Sequence, residues 1–297
     1  VTNTTAASVK ASVPAISVLE RRLFLLLTVV ALVYAFVCGL RTVEDPDLFW
    51  QLATGRWVAQ HHHVFSTDVF SYTASGQPWI YPAGSGLLLY AIYLLGGYSL
   101  LSWLGAAACV ATVALLVRKG TAVSAALAII AVPLVTARLN PRAEMFTVIL
   151  FAAFLSILWE NYQTGRARLW LLPALMLVWV NCHLGFVSGL ALILAFIGVD
   201  VLEMILVDNR RQQTMQRLRG AIPWFVATAL CTLANPWGWK IYEAILRQNR
   251  AMAEHSMWIV EWGKVPLDWR AVFNGLVPWR GNPFYLLLVV VVVSALL

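Results

Sequence analysis

The sequence predicts an all-α protein, a polytopic helical bundle embedded in a membrane. Three observations carry that prediction. Hydrophobic residues make up 61% of the chain and charged residues only 12%, about half the charged share of a soluble domain. Apolar runs of near-spanning length recur along the chain, beginning with Leu23 to Leu40. The basic residues gather at alternate ends of these runs, as cytoplasmic loops do. A chain of 297 residues has room for roughly seven to nine spans of about 20 residues each. The net charge of +7 reads as the inside bias of those loops, and no nucleic-acid partner is expected.

The elements follow in order. Residues 1–20 form a cytoplasmic N-terminal segment, and 21–297 a single membrane domain. Lys10, Arg21 and Arg22 hold the start of the first span inside, so Leu23 to Leu40 runs outward. A long outer loop, Arg41 to Tyr98, then carries two segments that lie along the surface, Leu48 to Gln60 and Gly84 to Leu95. Treating Gly84 to Leu95 as a full span would put Arg118 and Lys119 outside and invert every later loop. It therefore reads as re-entrant or interfacial.

Ser99 to Val117 returns inward, Ala122 to Ala137 runs outward, and Met145 to Trp159 runs inward to Arg166 and Arg168. Leu169 to Val180 and Leu184 to Val207 form the next pair, the second ending in a basic inner loop with Arg210, Arg211, Arg217 and Arg219. Ile222 to Leu233 leads to a second outer segment, Asn235 to Asn282. The final apolar run, Phe284 to Leu297, lacks a closing flank, and further C-terminal spans are expected after it.

On this map the unusual polar residues collect on the outer side. Asp45 and Asp47 stand where the first span leaves the membrane, in Glu44-Asp45-Pro46-Asp47-Leu48-Phe49-Trp50. Carboxylates there suit a general base or a ligand at the water-facing end of a cavity. Asp47 also has the position of a helix N-cap for the segment that follows it. Ala137-Arg138-Leu139-Asn140-Pro141-Arg142 places two guanidinium groups in a Pro-interrupted turn, a fork geometry suited to lipid phosphate or to headgroup snorkelling.

Asn181 and His183 flank a helix break before Gly185, and Asn235-Pro236-Trp237-Gly238 is turn chemistry at an outer helix end. Glu144, Asp68, Glu254, His255 and Glu261 fall on the same side. His61-His62-His63 is a poor metal site, because consecutive imidazoles on a helix point apart. Asp200 and Glu203 lie near the inner end of their span. Cys38, Cys109, Cys182 and Cys231 lack metal-ligand spacing and read as packing residues without disulfides. Walker A, Rossmann, zincin and paired CxxC signatures are absent, which argues against an ATP-driven pump.

These blocks resemble the membrane-embedded glycosyltransferases of the GT-C class, such as protein O-mannosyltransferases and lipid A aminoarabinose transferases. The parallel runs through Asp45-Pro46-Asp47, Gln77-Pro78-Trp79, the Gly96-Gly97 break and the span ending at Arg118-Lys119. More closely, Asp45 to Trp57, Asp68 to Thr73, Trp179 to His183 and Asn235 to Gly238 are similar to a group of bacterial multi-spanning proteins. The resemblance covers about residues 20 to 240. The chain departs from that pattern at Tyr81-Pro82, where an acid is common, and at Leu184-Gly185, where Gly-Gly is common.

The resemblance implies sugar transfer from a polyprenyl-phosphate donor at the outer face of a bacterial inner membrane. Asp45 and Asp47 would be the catalytic residues, with Asp45 as general base. Arg138 and Arg142 would hold the donor phosphate, and Asn181, His183 and Asn235 would line the substrate site; the mechanism requires no cofactor or metal. Two other readings remain: a non-catalytic membrane subunit that holds a lipid or membrane-protein partners, and a transporter of lipids or polar solutes.

Overall fold

The structure, a computed structural model, describes residues 18–118 and 120–255, with positions 266, 268–270, 284–285, 288–289 and 291–292 beyond them. Most of the N-terminal segment, Lys119, Glu261 and most of the final apolar run lie outside the described residues. The described chain is all-helical: α1 (Val18–Gly39), α2 (Pro46–His61), α3 (Gly84–Val117), α4 (Ala122–Ala137), α5 (Ala143–Thr164), α6 (Leu171–Cys182), α7 (Val187–Leu206), α8 (Arg211–Cys231) and α9 (Lys240–His255).

Four helical stretches are long and apolar enough to cross a membrane: Val18–Gly39, Gly84–Val117, Ala143–Thr164 and Leu184–Leu206. α4 and α6 are apolar but shorter. The expected seven to nine spans are therefore not reached by length and composition among the described residues. A second difference concerns the basic inner loop. Arg211, Arg217 and Arg219 lie within α8, and the apolar stretch Ile222 to Leu233 begins in that helix's second half.

α3 is two helices joined at a break. Gly96 and Gly97 leave helical geometry, and Gly97 has φ of +61°, a conformation only glycine adopts without strain. The first half, Gly84 to Leu95, is about 18 Å long, too short to cross an apolar layer of about 30 Å. It packs against α2 through Leu48, Leu52 and Leu89. Behind the break the second half packs with α1, α4 and α5 around Ala31, Ala35, Cys109, Val113, Val132 and Met145. A second core, built from Phe154, Leu158, Leu172, Met176, Trp179, Phe186, Ile193 and Phe225, joins α5 to α8, and Ile241 of α9 closes it. The faces left exposed on α1 and α7 are apolar, including Leu25, Leu26, Val29, Leu194, Leu202 and Ile205, as lipid-facing surfaces require.

Helix ends place the polar residues. α2 starts at Pro46 with Asp45 as its N-cap, whose side chain accepts from the Asp47 backbone N–H. The expected capping role of Asp47 belongs to Asp45 instead. Arg142 offers no side-chain cap to α5. The first backbone N–H of α5, on Ala143, donates instead to Gln51 Oε1 at 2.7 Å. α2 thus caps α5, and this ties the two carboxylates of the loop to the arginine turn nearly a hundred residues later.

Candidate functional site

At this end of the bundle a cavity of about 480 Å³ is lined by Asp47, Trp50, Gln51, Tyr81, Arg138, Arg142, Glu144, His183, Gln248 and Met252. Its floor is the Arg142 guanidinium, which is almost fully buried. Arg142 pairs with Asp45 at 3.1 Å, Asp47 at 3.4 Å and closely with Glu144. Burying a charge is tolerable only when it is paired and hydrogen-bonded, and three carboxylates meet that requirement.

The two aspartates differ sharply. The Asp45 side chain is 9% exposed and the Asp47 side chain 54%. Asp45 Oδ1 accepts the Asp47 N–H, and Oδ2 accepts from Asn140 at 3.2 Å while pairing with Arg142. Both its oxygens are engaged inside the fold. Asp47 Oδ1 accepts from Trp50 Nε1 at 3.1 Å, and its carboxylate faces the cavity. Arg138 reaches Glu144 at 3.4 Å from the rim. With three carboxylates against two arginines, the cluster carries one excess negative charge.

One wall is aromatic. Trp50 meets Tyr81 edge-on at 5.1 Å and Trp79 at 5.7 Å, and Tyr81 meets His183 at 6.2 Å. Burial raises the Tyr81 pKa above its ordinary value, with Asp47 and Glu144 adding to the effect and Arg142 opposing it. The phenol stays neutral. His183 sits between α6 and the short 3-10 turn Leu184–Phe186. Burial, then the nearby Arg142 charge, lower its pKa to about 4, so it too is neutral near pH 7.

A smaller cavity of about 220 Å³ adjoins the first, with Tyr81 and Gln248 lining both and Trp79, Leu184 and Arg247 on its far side. α9 thus roofs both spaces.

Of the residues singled out in the sequence, Asp47, Arg138, Arg142, Glu144 and His183 line the cavity, and Asp45 sits directly behind it. Asn181 and Asn235 do not line it. Asn181 Nδ2 donates to the carbonyls of Leu177 and Ala234, both at 2.9 Å, joining the end of α6 to the loop before α9. Asn235 closes its own turn on Thr232, Trp237 and Gly238. Gln51 and Gln248 were not singled out, and Tyr81 was noted only as a departure from the related pattern, just after the Pro78-Trp79 block.

His61 and His63 turn Nδ1 to the carbonyls of Trp57 and His61, and both rings pack on Trp57. Among the described residues no group of three or more His, Cys, Asp or Glu side chains is arranged to hold a metal ion. Compared with known proteins, the chain matches no family model, no curated protein and no solved structure.

Proposed function

We propose that the chain is a GT-C-like transferase that moves a sugar from a polyprenyl-phosphate carrier to an acceptor hydroxyl in this cavity. The observation that carries the reading is the position of Asp47, a half-exposed carboxylate held by Trp50 and Arg142 beside an aromatic wall. The acceptor O–H gives its proton to the Asp47 carboxylate as the acceptor oxygen bonds the anomeric carbon. The bond from that carbon to the phosphate oxygen breaks, and polyprenyl phosphate leaves. Arg138, half-exposed at the rim, supports the leaving phosphate.

The base in this scheme is Asp47 and not Asp45, because both Asp45 oxygens are already engaged. Arg142 orients Asp47; with three carboxylates around it, it is poorly suited to hold a phosphate as well. Aromatic rings such as Trp50 and Tyr81 suit the apolar face of a sugar ring.

The same saturation of Arg142 favours a second reading, in which the cluster only fastens α2 to α5 in a non-catalytic membrane subunit. Mass spectrometry of the purified protein separates the two. A bound polyprenyl-phosphate sugar, discharged onto an acceptor by the wild type and retained by Asp47→Asn, is the expected result. A stoichiometric complex with another membrane protein and no polyprenyl lipid would replace the transferase reading with the subunit.

A further inference from the structure

Three hydrogen bonds converge behind the cavity on one side of the His183 ring. Trp179 Nε1 donates to Thr147 Oγ1 at 2.9 Å, and Thr147 Oγ1 lies 2.8 Å from His183 Nδ1. The Gly185 backbone N–H donates to the same Nδ1 at 3.1 Å. A backbone N–H only donates, so Nδ1 is an acceptor and carries no proton. The Thr147 hydroxyl, already accepting from Trp179, directs its own hydrogen to Nδ1.

The ring proton is therefore on Nε2, the nitrogen left for the cavity that His183 lines. Gly185 is part of the device. A Cβ there would stand 2.8 Å from His183 Nδ1 and closer still to Thr147 Oγ1, so any side chain would push the donors apart. The anchor is firm, since Trp179 is fully buried in the core against Phe154.

We propose that Thr147 is a positioning residue that fixes His183 as an uncharged Nε2–H donor, which binds a neutral oxygen of the ligand. Protonating His183 would put a hydrogen on Nδ1, against the Thr147 O–H and the Gly185 N–H. The charged groups that share its cavity are Arg138, Arg142 and Glu144 around the α4–α5 turn and Asp47 from α2. These four charges cancel, and with Asp45 behind Arg142 the carboxylates outnumber the arginines, so nothing beside His183 calls for an anion; a hydroxyl, ring oxygen or carbonyl accepts from Nε2–H without a change of charge. On the transferase reading, the His183 side of the cavity holds the uncharged sugar or acceptor, and the phosphate lies toward the Arg138 rim. The inference rests on that reading only for the identity of the ligand; the state of the imidazole does not depend on it.

Nitrogen NMR of the purified full chain in detergent, labelled at histidine and assigned with His183→Gln, tests the claim without substrate. The expected spectrum shows one protonated nitrogen, Nε2, unchanged between about pH 5 and about pH 8. Thr147→Ser keeps that signature. Thr147→Val mixes the tautomers or moves the titration of His183 upward, and it slows transfer by about tenfold, the loss of roughly one hydrogen bond. Adding inorganic phosphate leaves the His183 signals in place. A wild-type proton on Nδ1, or protonation of both nitrogens when phosphate is added, would overturn the proposal whatever the transfer assay shows. So would a Val variant with the wild-type spectrum and rate. If Thr147→Val fails to fold, the wild-type tautomer and the phosphate titration still decide it.

Discussion

Two buried arginines, Arg142 and Arg217, sit at opposite ends of α5, about 30 Å apart along a helix of this length. Both are surrounded by carboxylates, yet they do different work. Arg217 pairs with Asp200 and with Glu203 at 2.8 Å, donates to the Tyr162 carbonyl at 3.0 Å and lies over the Tyr162 ring. Arg210 and Thr214 fill the remaining positions on Glu203. Arg217, Asp200 and Glu203 are each only 9% exposed, and the charges of the four ionised groups cancel.

Around Arg142 there is a third carboxylate, an excess negative charge and an open cavity, with Asp47 half in water. A buried ion pair alone is thus no mark of a site. What distinguishes the Arg142 end is a carboxylate that the fold leaves unburied beside space for a ligand.

Mutations that remove each arginine should break this comparison if it is wrong. Arg217→Ala leaves Asp200 and Glu203 buried without their shared partner, and should cost about 3 to 5 kcal/mol of stability. Thermal or denaturant unfolding in detergent measures this, and transfer by the protein still folded should be unchanged. Arg142→Ala should cost less, about 1.5 to 3 kcal/mol, because Asp47 and Glu144 can turn to water and Asp45 keeps Asn140 and its cap. Arg142→Lys should recover only part of that loss, since an ammonium cannot reach three carboxylates as a planar fork does. An Arg142 variant more damaged than the Arg217 variant would reverse the roles assigned to the two clusters.

A smaller effect depends on pH. The His183 pKa is depressed from 6.5 to about 4 in the fold, so the unfolded chain takes up the proton first as pH falls. Its stabilising contribution is complete above about pH 6.5 and is lost as pH drops toward about 4, at no more than about 1.4 kcal/mol per pH unit. His183→Gln should remove that part of the slope, and an unchanged slope would mean that His183 is not held neutral.

The apolar helices were legible in the sequence because their pattern is local. α4 occupies Ala122–Ala137 as expected, and the Gly96-Gly97 pair breaks α3 where glycine alone supplies the backbone freedom. The roles of the polar residues were less legible, because long-range partners set them. Asp45 and Asp47 are the same residue type two positions apart. Only the Arg142 turn, reached through Gln51 on Ala143, decides which carboxylate is buried and which faces the cavity.

Arg217 read as a loop charge because its acidic partners lie on another helix, α7. Asn181 and Asn235 read as ligands because an amide at a helix end looks alike whether it meets a substrate or a backbone carbonyl. His183 was legible as unusual, but its tautomer depends on Thr147, thirty-six positions earlier.

The most direct test compares Asp47→Asn with Asp45→Asn in the transfer assay and in unfolding. The account predicts that Asp47→Asn keeps nearly full stability and loses about a hundredfold or more in rate, the usual contribution of a positioned general base. Asp45→Asn, which keeps the cap but loses its ion pair, should cost about 1 to 2 kcal/mol of stability and far less in rate. A fully active Asp47→Asn protein, or an Asp45→Asn protein that is stable but inactive, would contradict the claim that the unburied carboxylate performs the chemistry.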